Sequence, residues 1–136
     1  MSAGVMSEQN INTIRNYFKA LESGDMETFA AMFADNVVWH QPGNNKYSGD
    51  KQGVAEIGQM VAAMMQETQG SFALKTQGDP SANGQLVAVP VSFGGEKAQQ
   101  TMQMRGTDLF RMNDGKIVEV WLFSEDQRAE DQFWGI

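Results

Sequence analysis

VAVPVSF, residues 87–93, opens a series of alternating segments that continues with TMQMRGTDLF, residues 101–110, and KIVEVWLF, residues 116–123. In each segment apolar side chains recur at every second position, which is the period of a β-strand with one buried face. Turn signals separate the segments, namely Asn83-Gly84, Gly94-Gly95 and Asp114-Gly115. The second half of the chain therefore predicts a meander of antiparallel strands.

The first half of the chain has apolar residues at helical spacing instead. A first helix is predicted over roughly residues 8–23, with Ser7 as its N-cap and Gly24 as its stop. Asp25 is placed to cap a second short helix. After a short strand that ends before Pro42, a third helix follows the polar loop of residues 44–53.

Helices followed by a run of hairpins predict an α+β fold, with helices covering one face of a curved antiparallel sheet. The length is that of one domain, residues 1–136. The last strand is apolar on both faces, because Val118, Val120 and Leu122 alternate with Trp121 and Phe123. A second copy of the chain is therefore expected against its outer face.

Charge and composition exclude several classes of protein. The net charge is -7, so phosphate backbones repel the chain and nucleic acid is not an expected partner. No run is long enough to span a membrane, and residues 1–10 do not read as a signal peptide. The chain has no cysteine, which fits a reducing compartment, and a cytoplasmic location is expected. Its 10 methionines and 8 phenylalanines either fill the core or line a pocket.

Known cofactor and metal signatures are missing. One histidine and no cysteine cannot build a zinc site of ordinary ligand count, and no Gly-rich nucleotide-binding motif occurs. No cofactor and no metal are therefore expected. A Ser-His-Asp triad around His40 stays open, because Ser48 and Ser124 exist, but no nucleophile-elbow motif supports it.

Several polar side chains lie on otherwise apolar faces. Asp108 is in phase with Met104 and Phe110, where a carboxylate is costly unless it is paired or protonated. The alternatives are an ion pair with Arg105 or Arg111, or exposure to solvent at the end of the strand. The spacing is equally compatible with Asp108 as a residue of a pocket and with these alternatives.

Three further candidates lie in the first helix and the first strand. Tyr17 flanks the apolar stripe of the helix, with its hydroxyl either in a pocket or in water. Trp39 and Gln41 share one face of the strand, and the amide of Gln41 does not titrate near neutral pH. His40 can act as a base, but its opposite parity leaves open which side it faces.

The chain resembles SnoaL-like and ketosteroid isomerase-like proteins of the nuclear transport factor 2-like superfamily. YFKALESGD at 17–25 and FADNVVW at 33–39 resemble the opening of these proteins. WHQPG at 39–43 and DGKIVEVW at 114–121 resemble a bacterial subgroup. The resemblance implies a cone, in which a strongly curved sheet wraps around three helices and encloses a deep apolar pocket. It also implies dimerisation through the outer sheet face, and isomerase, cyclase, hydrolase or purely binding functions.

The resemblance to ketosteroid isomerase extends to individual positions. Tyr17 falls where that enzyme has its oxyanion-hole tyrosine, and Asp108 where it has a protonated aspartic acid. Gln41 stands where that enzyme has its general base, and it cannot carry a proton between carbons. Simple isomerase chemistry therefore lacks a base at this position.

Three functions follow as hypotheses. The first is an enzyme acting on a small apolar carbonyl compound, with Tyr17, His40, Gln41 and Asp108 in catalysis. The second is a protein that binds a small apolar ligand without turnover, and the third is a dimerisation module. The residues expected to contact the small molecule are Trp39, Tyr47, Met60, Met104, Phe110, Trp121 and Phe123.

Overall fold

Four helices and seven strands make up residues 3–136, the part of the chain that the computed structural model describes. The helices are α1 (Ala3–Ser23), α2 (Met26–Ala31), α3 (Gly53–Glu67) and α4 (Gln127–Trp134). The strands are β1 (Phe33–Gln41), β2 (Gly49–Gln52), β3 (Ala73–Thr76), β4 (Ser81–Asn83), β5 (Leu86–Lys97), β6 (Gln100–Asn113) and β7 (Lys116–Ser124). The predicted α+β class is confirmed. Residues 1 and 2 of the segment predicted to carry no signal peptide lie outside the described part.

The strands form one curved sheet in the order β2-β1-β7-β6-β5-β3, with β4 also paired to β5. The pairing of β1 with β7 is parallel, and every other strand pair is antiparallel. The expectation of a purely antiparallel sheet is thus corrected to a mixed one. The long hairpin of β5 and β6 forms the centre of the sheet and carries Asp108 on its inner face.

Helix boundaries follow local chemistry with one exception. Gly24 ends α1 at a φ of +75°, a conformation that glycine adopts without strain. The Asp25 side chain accepts a hydrogen bond from the Thr28 N–H and caps α2 as predicted. The predicted N-cap at Ser7 is wrong, because α1 is already helical at Ala3.

The predicted turn at Gly94-Gly95 is also wrong. Both glycines lie inside β5, and the chain turns after Lys97, where Ala98 has a φ of +48°. A Cβ on Gly94 would lie 2.2 Å from the Met102 carbonyl oxygen. The glycine is therefore required for close approach of two backbones rather than for a turn.

A β-bulge changes which residues of β7 face inward. Met112 pairs with Ile117 and Arg111 with Glu119, so Val118 is an extra residue in β7. Ile117 and Val120 are both fully buried as a result. Glu119 and Trp121 face outward, whereas simple alternation predicted that Trp121 shares a face with Ile117.

An aromatic cluster joins the helices to the sheet. The ring of Tyr17 contacts those of Phe18, Phe29, Phe33 and Phe110, with centroids 4.9–5.7 Å apart. All five rings belong to the buried core between the helices and the sheet. Within residues 3–136, no helix is long and apolar enough to cross a membrane.

Candidate active site

A cavity of about 1030 Å³ lies between the helices and the inner face of the sheet. All four helices contribute to its wall. Most of the lining is apolar and includes Leu21, Met60, Val61, Met64, Phe93 and Leu122. A large apolar pocket with a few converging polar groups is typical of a small-molecule site.

Asp108 is the central polar group of this cavity. It is 4% exposed, and within residues 3–136 its carboxylate accepts no hydrogen bond. Arg105 and Arg111 point to the other face of the sheet, where they pair with Glu125 and Glu119. Burial, together with the nearby Glu130 carboxylate, raises the pKa of Asp108 to about 7. The ion-pair alternative for Asp108 is thereby removed.

Tyr17 lines the same cavity from α1. Its side chain is 1% exposed, and its hydroxyl forms no hydrogen bond within the described residues. Burial raises the pKa of Tyr17 well above its ordinary value, and the Asp108 carboxylate raises it further. The two groups therefore lie within electrostatic range, and Tyr17 remains a hydrogen-bond donor at all ordinary pH values.

Trp39 and Gln41 form a fixed pair on the inner face of β1. The indole Nε1–H of Trp39 donates to Oε1 of Gln41 across 2.9 Å, and both residues line the cavity. This bond orients the amide of Gln41. Its Nε2 makes no hydrogen bond to any described residue and is available to a ligand.

Glu130 is a cavity residue that the sequence did not indicate. It lies on α4, is 4% exposed, and accepts hydrogen bonds from Ser124 Oγ at 2.6 Å and Gln127 Nε2 at 3.0 Å. Burial raises the pKa of Glu130, although these hydrogen bonds oppose the shift. The Trp134 indole N–H also favours the charged form, but it makes no hydrogen bond of ordinary geometry.

The signal for Glu130 was present but weak. Phe133 and Trp134 follow it by three and four residues, so the three side chains share one face of a helix. Both aromatic residues are buried. The burial of Glu130 could be predicted only from these two aromatic neighbours, because a lone glutamate in a charged segment is ordinarily solvated.

His40 lies outside the cavity, on the outer face of the sheet. Its Nδ1 lies 2.7 Å from Asp50 Oδ1 and its Nε2 lies 2.7 Å from Glu119 Oε2. Its ring stacks on Trp121 with centroids 5.5 Å apart. The hydrogen bond to Glu119, and then that to Asp50, raises the pKa of His40 against the effect of burial. The structure therefore separates His40 and Trp121 from the other predicted site residues.

The remaining predicted contact residues divide into two groups. Trp39 and Met60 line the cavity, and Phe123 lies at its rim with 55% of its surface exposed. Tyr47, Met104 and Phe110 do not line the cavity, which corrects their expected role. The Tyr47 hydroxyl donates to Glu67 at 2.6 Å, and Phe110 packs behind Tyr17 with ring centroids 5.2 Å apart.

The sequence profile of the SnoaL-like domain matches residues 14–120, so the chain belongs to the SnoaL-like domain family. This agrees with the fold and with the cavity. No curated protein matches the chain. Within residues 3–136, no group of three or more acidic or histidine side chains is placed to hold a metal ion.

Solved structures share the whole architecture. A protein of unknown function with a cystatin-like fold from Xanthomonas campestris is 42% identical, covers 93% of this chain and 98% of its own, and has a TM-score of 0.88. Bal32a, from a soil-derived mobile gene cassette, is 26% identical over 95% of this chain and 98% of its own, with a TM-score of 0.90. IdmH of Streptomyces antibioticus, described as a candidate polyketide cyclase, is 22% identical over 92% of this chain and 98% of its own, with a TM-score of 0.72. This last likeness concerns the fold alone.

Proposed function

We propose that this protein is an enzyme that catalyses proton transfer on a small, largely apolar carbonyl compound, as in isomerisation or cyclisation. The observation that carries the proposal is Asp108, a buried carboxyl group without a cationic partner that faces an apolar cavity. With a pKa raised to about 7, a large share of Asp108 is protonated at neutral pH. A neutral carboxyl group can donate a hydrogen bond to a carbonyl oxygen.

Tyr17 supplies a second donor in the wall of the same cavity. Two donors that are fixed before the reaction stabilise the negative charge that develops on oxygen when a neighbouring C–H bond loses its proton. The cavity keeps these donors away from bulk water, which strengthens them. Gln41, held by Trp39, is placed to orient the substrate through its free amide Nε2.

The test is exchange of α-protons for deuterium in a panel of neutral cyclic and linear ketones, followed by NMR in D₂O. We expect the wild type to accelerate exchange in at least one ketone. Asp108→Leu and Tyr17→Phe should each slow that exchange by about 100-fold, since each replaces one oxyanion donor by an apolar group. The control, His40→Gln, changes the outer face and should retain the rate. Full activity in both cavity variants refutes the proposed roles.

Binding without turnover is the second candidate. It is favoured by the predominantly apolar lining, in which Met60 and Met64 can adapt to ligands of different shape. In this case the same ketones raise the melting temperature of the wild type without exchanging their protons. A cavity that accepts none of them would favour the third hypothesis, a dimerisation module.

We further propose that two copies pair through the outer face of the sheet in the cytoplasm. The outer face of β7 carries Trp121, which is partly buried against His40, and Phe123, at the rim of the cavity two residues further on, is 55% exposed. Exposed aromatic side chains on a sheet face are typical of protein interfaces. The absence of cysteine, which fits a reducing compartment, supports the location.

A further inference from the structure

The cavity contains two buried carboxyl groups whose surroundings differ. Within the described residues, Asp108 receives no hydrogen bond, whereas Glu130 receives two, from Ser124 and Gln127. Hydrogen bonds to a carboxylate favour its charged form. When two carboxyl groups share an apolar space, the group without donors retains the proton, and the group with donors is the one that ionises.

We infer that Glu130 is the proton acceptor of the reaction proposed above, and that Asp108 and Glu130 divide into an acid and a base. This inference rests on the proposed function and adds the base that Gln41 cannot supply. It also assigns a chemical role to α4, the helix at the end of the chain.

The geometry leaves one oxygen of Glu130 free for this task. Ser124 and Gln127 both donate to Oε1, and Oε2 accepts no hydrogen bond of ordinary geometry from the described residues. Oε1 is thus held in position, and we assign the proton transfer to Oε2. A base must lie within hydrogen-bond reach of the proton that it removes, and a carboxylate in the cavity wall meets this need.

The other titratable groups of the wall are less suitable. Glu22 and Lys75 are exposed at the rim of the cavity. Tyr17 is protonated at any ordinary pH, because burial holds its pKa well above the usual value. Glu130 is therefore the buried group that can accept a proton while Asp108 donates a hydrogen bond.

The proposed step balances within the cavity. Oε2 of Glu130 removes a proton from the carbon next to the carbonyl group, and the electrons of that C–H bond form the carbon–carbon double bond of an enolate. The carbonyl π electrons move to oxygen, which accepts hydrogen bonds from Asp108 and Tyr17. Glu130 then returns the proton to a carbon of the substrate, so that no oxidant or reductant is needed.

The loop after β1 holds α4 in place. Asp131 of α4 accepts hydrogen bonds from the Asn44 N–H at 3.0 Å and from Asn45 Nδ2 at 2.8 Å. The Lys46 N–H donates to the Gly135 carbonyl at 2.8 Å. These contacts fix the part of the helix that directly follows Glu130, which makes the base preorganised rather than mobile.

The charges of the wall define the class of substrate. No cationic side chain is buried in the described wall, since its one lysine, Lys75, is exposed at the rim. An anionic substrate would meet Glu130 and Asp108 without a counterion. The inference therefore specifies a neutral ketone with an acidic C–H bond beside its carbonyl group.

Glu130→Gln and Glu130→Ala test this assignment with the same deuterium exchange. Glu130→Gln should slow exchange by about 100-fold or more, because the amide cannot accept the proton. Adding formate should raise the rate of Glu130→Ala, since the small acid fits the space that the side chain leaves. Glu125→Gln, which alters an exposed carboxylate paired with Arg105 outside the cavity, is the matched control and should behave like the wild type.

Each outcome decides a separate question. A near-normal rate in Glu130→Gln, or a folded Glu130→Ala that formate does not rescue, overturns the role of Glu130 and leaves Asp108 and Tyr17 in place. Absence of exchange in the wild type overturns the proposed function and this inference together. Circular dichroism of both variants separates loss of the base from loss of the fold, and the isosteric Glu130→Gln preserves an acceptor for Ser124.

Discussion

The carboxyl group of Asp108 takes up a proton when the chain folds near neutral pH. Its ordinary pKa is 3.8 and its pKa in the fold is about 7, mainly because burial disfavours the charged form. Between these two pH values the native state binds more protons than the unfolded state. The free energy of unfolding contributed by this group therefore falls as the pH rises from about 4 through 7.

Replacing Asp108 by Asn should remove this dependence. Between pH 4.5 and 8 about 2.4 pH units of this shift develop, which correspond to about 3 kcal/mol, so Asp108→Asn should gain about 3 kcal/mol of stability relative to the wild type over this range. Urea unfolding at several pH values measures the difference in the free energy of unfolding between the two proteins. The pKa shifts of surface carboxylates contribute equally to both proteins and therefore cancel in this difference. Parallel stability curves for wild type and variant would contradict the account of Asp108.

Side-chain periodicity explains which site residues could be predicted. Tyr17, Trp39, Gln41 and Asp108 each belong to a regular element, so their phase relative to apolar neighbours places them at the cavity. Phe110 and Met104 lie on the same face of β6 as Asp108 but pack in the core. Alternation predicts the face of the sheet on which a side chain lies, but not whether that side chain reaches the cavity. Tertiary contacts alone decide that difference.

Gly43 is the point at which the loop after β1 meets α4. Its φ is +86°, and a Cβ there would lie 2.2 Å from Asp131 Oδ1 and from Gln127 Nε2. Both atoms take part in the contacts that hold α4, and Gln127 also donates to Glu130. The glycine is thus needed for its backbone conformation and for the close approach of the helix.

Gly43→Ala should lower both stability and turnover. The strained φ costs about 1–3 kcal/mol, and displacement of α4 moves Glu130 away from its position. Gly115→Ala is the matched control, since Gly115 has a φ of +75° with nothing within 4 Å of its added Cβ. Urea unfolding should show a loss in both variants, and deuterium exchange should fall in Gly43→Ala only. Equal exchange rates in the two variants would argue against the role of α4.

For whole elements, helix caps and turns could be predicted from the sequence where the residue type is typical of a single local structure. Asp25 caps α2, and Asp114-Gly115 forms the turn between β6 and β7. The turn predicted at Gly94-Gly95 was wrong because glycine occurs both in turns and where two backbones approach closely. The bulge at Val118 cannot be recognised in an alternating sequence. It places the side chain of Trp121 on the opposite face of the sheet from the one that alternation predicts.

Across the whole molecule, the inner and outer faces of the sheet carry different chemistry. The inner face is apolar around Asp108, whereas the outer face carries the ion-paired group of His40, Asp50, Glu119 and Arg111. Trp121 stacks on His40 within this group. We expect the outer face to contact a second copy and the inner face to contact the ligand.

Trp121→Arg should therefore convert the expected dimer into a monomer, because it adds a charge to the proposed interface. Size-exclusion chromatography with light scattering measures the mass. Val5→Arg, at an exposed apolar residue of α1, is the control and should leave the mass unchanged. A wild type that is monomeric, or a Trp121→Arg protein that stays dimeric, would contradict this assembly.

The class of fold was readable from the sequence, but the order of strands was not. Alternation identifies strands and hairpins, yet it does not show that β1 joins β7 in parallel. This non-local pairing brings Trp39 and Gln41 into the wall of the same cavity as Glu130. The complete site therefore depends on contacts between the two ends of the sequence, which local patterns do not record.

The proton on Asp108 is the central claim, and carbon-detected NMR of its side-chain carboxyl group tests it most directly. The chemical shift of that carbon is followed from acid to alkaline pH, with Asp108→Asn used to assign the signal. We expect its main transition near pH 7, in line with the raised pKa of the buried group. A single transition near the ordinary value of 3.8 would show a solvated carboxylate and would contradict the account.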